Sequence, residues 1–130
     1  MTQFPKLTPE LLYERLLEFA KRCQRLVRRL PKAVYNIEYG SQLIRSSASP
    51  GANYIEVIEA ISFKDFVHRL KICLKETKES IHWLLLIENA NLDSLEFKKE
   101  IKELIQEARE LIKIFSSSLA TVKRNKEIKK

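Results

Sequence analysis

The run SFKDFVHRLKICLKETKESIHWLLLI, from Ser62 to Ile87, decides the fold. Ser62 and Asp65 form a capping-box pattern at its start, placing a hydroxyl and a carboxylate where a helix N-terminus leaves backbone N–H groups unpaired. Phe63, Phe66, Leu70, Cys73, Thr77, Ser80, Leu84 and Ile87 then recur at alternating spacings of three and four, the period of one helical face, and Val67, Leu74 and Ile81 widen it. Lys64, His68, Lys71, Lys75 and Lys78 fall on the opposite side. The run predicts a helix over about 63–90 with an apolar inner face and a basic outer one.

The same period extends in both directions. Downstream, Asp93 with Glu96 gives a second capping pattern, and Phe97, Ile101, Leu104, Ala108, Leu111, Phe115, Ser118 and Val122 form the inner stripe of a helix over about 94–122. Upstream, Thr8, Pro9 and Glu10 supply an N-cap, a proline at the first helical position and an anion near the positive end of the dipole. Leu12, Leu16, Phe19, Cys23, Leu26 and Leu30 follow until Pro31, so a helix is expected over about 9–30.

The segment from about 35 to 60 is less regular, because Ser46, Ser47, Ala48, Ser49, Pro50, Gly51 and Ala52 put seven small or helix-disfavouring residues in a row. Either the helix breaks there, or small side chains let a neighbour approach so closely that packing offsets a proline cost of about 3 kcal/mol. Resumption of a helical pattern from Asn53 to Ala60 favours the second. Close approach at Ala52 would make Ala52→Leu overpack the contact. Four amphipathic helices with short connections imply an all-α, antiparallel up-and-down four-helix bundle over 1–122.

Composition agrees. The chain has 130 residues, one domain's worth, with only 2 Gly and 4 Pro. No run reaches the roughly 18 apolar residues of a membrane span, and Met1 to Leu7 has no apolar leader, so a cytoplasmic protein without membrane contact is expected. The two cysteines, Cys23 and Cys73, sit on apolar stripes and read as buried reduced thiols rather than a disulfide. Of the formal +7, the Lys123 to Lys130 segment holds five basic residues against one Glu, a net +4, and reads as a flexible basic tail.

From Gln42 to Leu85 the chain resembles a family of small bacterial four-helix bundle proteins first noted in intervening sequences of large-subunit ribosomal RNA genes. The residues that carry the resemblance are Gln42-Leu43, Arg45-Ser46, Ser49, Gly51-Ala52-Asn53, Glu56, Ala60, Ser62, Asp65-Phe66, Leu70, Ile72, Leu74-Lys75-Glu76, Glu79 and Trp83-Leu84, with Leu30-Pro31-Lys32 fitting upstream. Pro50 departs from the pattern, where an aliphatic residue is usual. The resemblance implies an up-and-down bundle, frequently a homo-oligomeric ring of five. Accessory proteins of diversity-generating retroelements are similar in architecture, which implies a reverse transcriptase and nucleic acid as partners; for most family members no activity is established.

Chemistry-bearing patterns are sparse. Glu79-x-x-His82 and Asp65-x-x-His68 echo a di-iron bundle motif, but both fall on one helix with the histidines outward, so no metal or other cofactor is expected. Arg45, Asn53, Glu56, Glu59, Glu76 and Glu79 are expected to point inward, with Arg45, Asn53, Glu56 and Glu76 forming a structural polar network. No nucleophile, phosphate loop or histidine base accompanies them, so an enzyme is not expected. Arg15, Arg22 and Arg29 recur every seven residues, joined by Lys21, Arg25, Arg28 and Lys32, and Lys64, Lys71, Lys75 and Lys78 form a second basic stripe. These stripes read equally as solvated faces or as non-specific RNA- or DNA-binding surfaces. The expectation is a non-catalytic homo-oligomeric scaffold that binds nucleic acid; a protein-binding adaptor or accessory subunit is the alternative. Trp83 to Ile87, apolar all round the helix, with Ile72, is the expected self-association patch.

Overall fold

A computed structural model describes residues 6–128, with side chains described through Asn125. Four helices fill it: α1 (Pro9–Arg29), α2 (Val34–Ile58), α3 (Phe63–Ala90) and α4 (Leu95–Ile128). Consecutive helices pack on one another and α4 closes back onto α1, while across the diagonal the Tyr54 ring of α2 lies 6.3 Å from the Phe115 ring of α4. The result is the expected antiparallel bundle, with no strand among the described residues.

Local signals set the helix ends. The Thr8 hydroxyl accepts from Leu11 N at 3.2 Å and the Ser62 hydroxyl from Asp65 N at 3.1 Å. At α4 the cap is Ser94, whose Oγ accepts from Phe97 N at 3.2 Å; Asp93, expected in this role, lies one residue too early. The basic segment after Val122 also differs from expectation. It contains no Gly or Pro to stop α4, so the helix runs on to Ile128 instead of becoming a flexible tail at 123. The side chains from Lys126 onward and residues 129–130 lie outside the described residues.

The core follows the predicted stripes. Leu12, Leu16, Phe19, Cys23 and Leu26 of α1 are buried, as are Leu70, Cys73, Thr77, Ser80, Leu84 and Ile87 of α3 and Ile101, Leu104, Ala108, Leu111 and Phe115 of α4. Phe63 is the exception, 46% exposed because it stands at the very start of α3.

α2 is one continuous helix through Pro50. Proline has no N–H to offer the Ser46 carbonyl, and a compact polar layer surrounds the site. The Ser46 and Ser80 hydroxyls share a 2.9 Å hydrogen bond, the Cys73 thiol donates to the Pro50 carbonyl at 3.4 Å, and Thr77 Oγ1 donates to the Cys73 carbonyl at 2.7 Å. Ser46, Ser47, Thr77 and Ser80 are all buried. Each small polar group is satisfied locally, which makes its burial tolerable.

Close helix approach occurs within the small-residue run, where Ser46 and Pro50 meet Ser80 and Cys73 of α3, and also outside it, at Gly40 against α1. A Cβ on Gly40 would meet Val27 Cγ1 at 2.7 Å, whereas one on Gly51 would find only ordinary contacts with Leu16 and Tyr13 at 3.8 and 3.9 Å. Ala52 is exposed, which removes the expectation that Ala52→Leu overpacks a helix contact.

A reciprocal amide pair joins the bundle's lower loops. Asn36, 3% exposed, donates to Pro31 O and Asn91 Oδ1, and Asn91 donates to Asn36 Oδ1 and Ile87 O, at 2.8 to 3.1 Å. It fastens the start of α2 to the end of α3.

Candidate nucleic-acid interface

The heptad arginines of α1 face α4, where Glu96, Glu100, Glu103, Glu107 and Glu110 recur at four and three. Arg15 binds Glu107 through Nε at 3.2 Å and Nη2 at 2.5 Å, with Glu110 at 3.9 Å. Arg22 reaches Glu100 at 3.4 Å and Glu103 at 3.2 Å. Arg29 meets Glu96 at 3.0 Å, its guanidinium 5.5 Å from the centre of the Phe97 ring. The hydrogen bond to Glu107 is the main reason that the Arg15 pKa lies above its ordinary value, against the opposing effect of burial. These three arginines do not form the free stripe expected from sequence. They zip α1 to α4.

The rest of that stripe divides. Arg25 pairs with Glu18 on its own helix at 3.3 Å, while Lys21, Arg28 and Lys32 are exposed with no carboxylate partner among the described residues.

Pairing with α1 sorts the charges of α4. Because α1 and α3 are the two helices packed alongside α4, the glutamate row marks its α1 flank and the opposite flank faces α3. On that flank Lys98, Lys102 and Arg109 alternate with Ile105 and Ile112 at helical spacing, and Lys99 and Lys113 stand beside them. All five cations are exposed and have no ion-pair partner among the described residues. The signal that separates its two rows was present in the offset between the two heptad registers.

α3 is arranged in the same way. Its α2 flank is marked by Glu76, which takes Arg45, and by Trp83, whose ring lies 6.2 Å from that of Tyr39. On the other flank Lys64, Lys71 and Lys78 alternate with the partly buried Val67, Leu74 and Ile81, and Lys75 stands outside them. Lys64, Lys71, Lys75 and Lys78 are likewise exposed and without a carboxylate partner among the described residues. Both basic rows thus lie on flanks turned to the α3–α4 seam, but antiparallel packing offsets them lengthwise, so that Lys64 stands near the C-terminal end of α4 and Lys98 near the C-terminal end of α3. The α1 and α3 stripes, by contrast, lie on diagonal helices.

The expected polar network is only partly assembled. Arg45 takes Glu76 at 3.2 Å, Gln42 at 3.1 Å and Glu79, so Arg45 and Glu76 do meet. They meet at the outer α2–α3 seam, with the Arg45 side chain 49% exposed, rather than in the interior. Asn53 holds Ser49 and accepts from Arg69 Nη1 at 3.1 Å, a partner that sequence reading missed. Glu56 and Glu59 point outward, because they fall on the face of α2 opposite Tyr54 and Val57, and neither joins the network.

Burial pushes both thiols, Cys23 and Cys73, up to about 12, so they stay protonated and non-nucleophilic at neutral pH. His68 and His82 are exposed on the outer face of α3. Among the described residues no three His, Cys, Asp or Glu side chains converge on a point, and no helix is long and apolar enough to cross a membrane.

The expected self-association patch is largely absorbed into the fold. Leu84 and Ile87 are buried and Trp83 packs against Tyr39, which leaves Leu85, at 47%, as the most exposed of the run. A longer uncovered apolar strip lies along α1 and α2, where Leu17, Ile37, Ile44 and Ile55 are each about 40 to 60% exposed. One margin of this strip carries Glu38, Glu56 and Glu59 on α2, the other Lys21, Arg28 and Lys32 around α1.

Comparison with known proteins places the bundle. No curated protein matches the chain. A solved structure from Bacteroides thetaiotaomicron, a protein of unknown function from the S23 ribosomal protein family, superposes with a TM-score of 0.75 at 28% identity, covering 88% of this chain and 99% of the other. The family described as 23S rRNA-intervening sequence protein matches residues 11–117. Nearly the whole bundle lies within that match, and the chain belongs to the 23S rRNA-intervening sequence protein family.

Proposed function

We propose that this chain is a non-catalytic scaffold that binds RNA or DNA through the phosphate backbone, with the α3–α4 face as its contact surface. The observation that carries this reading is the sorting of α4. Its acids are engaged by Arg15, Arg22 and Arg29, so Lys98, Lys99, Lys102, Arg109 and Lys113 have no ion pair among the described residues, on the helix packed next to the one that carries Lys64, Lys71, Lys75 and Lys78. Like charges gathered on one face repel each other, and a polyanion relieves that cost. The family's association with ribosomal RNA genes supports the same direction. Contacts of this type give affinity without sequence readout, since they do not address base edges.

Filter binding at low salt tests it. The intact protein should bind RNA or DNA with a log-log salt slope of about 0.7 to 0.9 per phosphate neutralised. Replacing Lys71, Lys75 and Lys78 with Glu should weaken binding to all sequences alike. Absence of any affinity in the intact protein refutes the reading. If affinity survives these changes but disappears when residues 123–130 are removed, the folded body is not the contact surface, and an adaptor that meets a protein partner such as a reverse transcriptase is the better account.

Self-assembly completes the proposal. The α1–α2 strip is apolar, with an acidic margin on one side and a basic margin on the other, so the acidic margin of one copy complements the basic margin of the next. Light scattering should return a multiple of the 15.3 kDa chain mass, and Ile44→Glu should return the monomer. A monomeric parent at micromolar concentration sinks this part.

A further inference from the structure

We infer that the end of the bundle where α1 and α3 begin and α2 and α4 finish is a docking site for an acidic amphipathic helix of a protein partner; this goes beyond the nucleic-acid reading and stands independently of it. The antiparallel order brings Pro9, Ile58, Phe63 and Val122 to that end, and there the core is open. A cavity of about 560 Å³ lies between the four helix ends, walled by Val57, Phe66 and Val122 among others. At its mouth Ile58 is 48% exposed, and Ile61, between the lining residues Ala60 and Ser62, is 96% exposed. Large aliphatic side chains left in water beside an open apolar cavity mark an interface, because covering them removes that surface from water. The lining carries only two polar side chains, Tyr54 and Ser62, and the Ser62 hydroxyl already accepts from Asp65 N. A sugar or phosphate entering it would lose water without gaining partners.

Charge around the mouth is divided by side. On the α3–α4 side Lys64 and Lys123 are exposed, with Arg124 next along α4, and none has a carboxylate partner among the described residues. Asp65, the acid of that side, lies 3.8 Å from Arg69. On the α1–α2 side Glu10 and Glu59 are exposed and outnumber Lys6. An anionic bilayer would press one sign of charge on both sides and meet these two glutamates as well as the lysines. A helix carries its charges at fixed places, so its acids can lie over the α3–α4 side alone. The cavity also shares Phe63 with a shallower one of about 390 Å³ over Lys64, Val67, His68 and Lys71, so the groove continues along α3. From Phe63 to Lys71 the helix rises about 12 Å, room for a little over two turns of a partner helix. Such a helix sets apolar anchors at i, i+3, i+4 and i+7 into the cavity and its acidic flank over Lys64 and Lys123.

Fluorescence anisotropy of the intact protein with a labelled synthetic peptide of about 14 residues, with leucines at that spacing and glutamates on the flanks, tests this. The peptide should bind saturably, and a scrambled peptide of the same composition about tenfold or more weakly. Ile58→Ser combined with Ile61→Ser should weaken the peptide by about tenfold or more, while filter binding of RNA, the circular dichroism and the melting temperature persist. Lys64→Gln with Lys123→Gln should also weaken the peptide and flatten its salt dependence. Because Lys64 belongs to the α3 row as well, the isoleucine pair is the variant that separates the two ligands. No peptide binding, equal binding of the scrambled peptide, or indifference to the isoleucine pair overturns the inference and leaves the nucleic-acid reading in place. Vesicles of phosphatidylglycerol that bind through Ile58 and Ile61 where the peptide does not would make this end a lipid-facing tip. A fall in light-scattering mass for the isoleucine variant would assign it to a second copy of the chain, and either result also overturns the inference. Absence of RNA binding with the peptide result intact overturns only the nucleic-acid reading.

Discussion

Replacing Arg15, Arg22 and Arg29 together with Glu is expected to lower the melting temperature by about 10 to 20 °C, independently of any ligand. An exposed ion pair is worth about 0.2 to 1 kcal/mol, and these side chains are 28 to 45% exposed, so loss of attraction alone accounts for about 2 kcal/mol. Reversal also sets three new anions against Glu96, Glu100, Glu103, Glu107 and Glu110, which adds repulsion of similar size. The total, about 3 to 4 kcal/mol, corresponds to that shift for a chain of 130 residues. α1 and α4 have the least extensive contact of the four helix pairs, so their shared edge relies on these bridges more than any other seam does. Thermal melts of the triple variant, alone and combined with Glu100, Glu103 and Glu107 each changed to Arg, check the mechanism. The compensated protein should recover most of the loss. A triple variant melting within about 2 °C of the parent would show that the bridges contribute nothing. Loss of nucleic-acid binding in this variant would therefore report a weakened bundle and not a lost contact.

The limits of reading this chain from sequence follow from what periodicity encodes. It records which residues share a helical face, and a burial stripe repeats often enough to be unmistakable, as from Leu12 to Leu26 and from Ile101 to Phe115. Which neighbour a flank meets is not recorded there. The arginine heptad of α1 and the glutamate row of α4 are both visible in the sequence, but only the closing of α4 onto α1 makes them one feature. The same closing turns an apparently mixed helix into one acidic and one basic flank. Glu56 was misplaced for a related reason: in a run of small residues without a clear apolar stripe, the inner face of α2 is ambiguous. Asn36 and Asn91 gave no signal at all, since an isolated asparagine near a helix end reads as turn chemistry.

Gly40→Leu is expected to destabilise the bundle by about 3 kcal/mol. The Cβ alone would stand 2.7 Å from Val27 Cγ1, and Val27 cannot easily turn away because a β-branched side chain is restricted at χ1. Gly40 is buried, so the added branch has no outlet to solvent, and α1 would have to move outward along its packed stripe of Phe19, Cys23 and Leu26. The gain in helix propensity on replacing glycine, about 1 kcal/mol, offsets only part of this. Gly51 supplies the opposite case in the same helix. Its hypothetical Cβ makes ordinary contacts, so Gly51→Ala should raise stability by about 0.5 to 1 kcal/mol. Ala52→Leu should change little, since that position faces solvent. Denaturant midpoints for the three variants, with Val27→Ala added to Gly40→Leu, make the argument specific. Shortening Val27 should restore part of what Gly40→Leu removes, because it deletes the atom in conflict. If Gly40→Leu is neutral, or if removing the Val27 methyls brings no recovery, then close approach of α1 and α2 at Gly40 does not govern this seam.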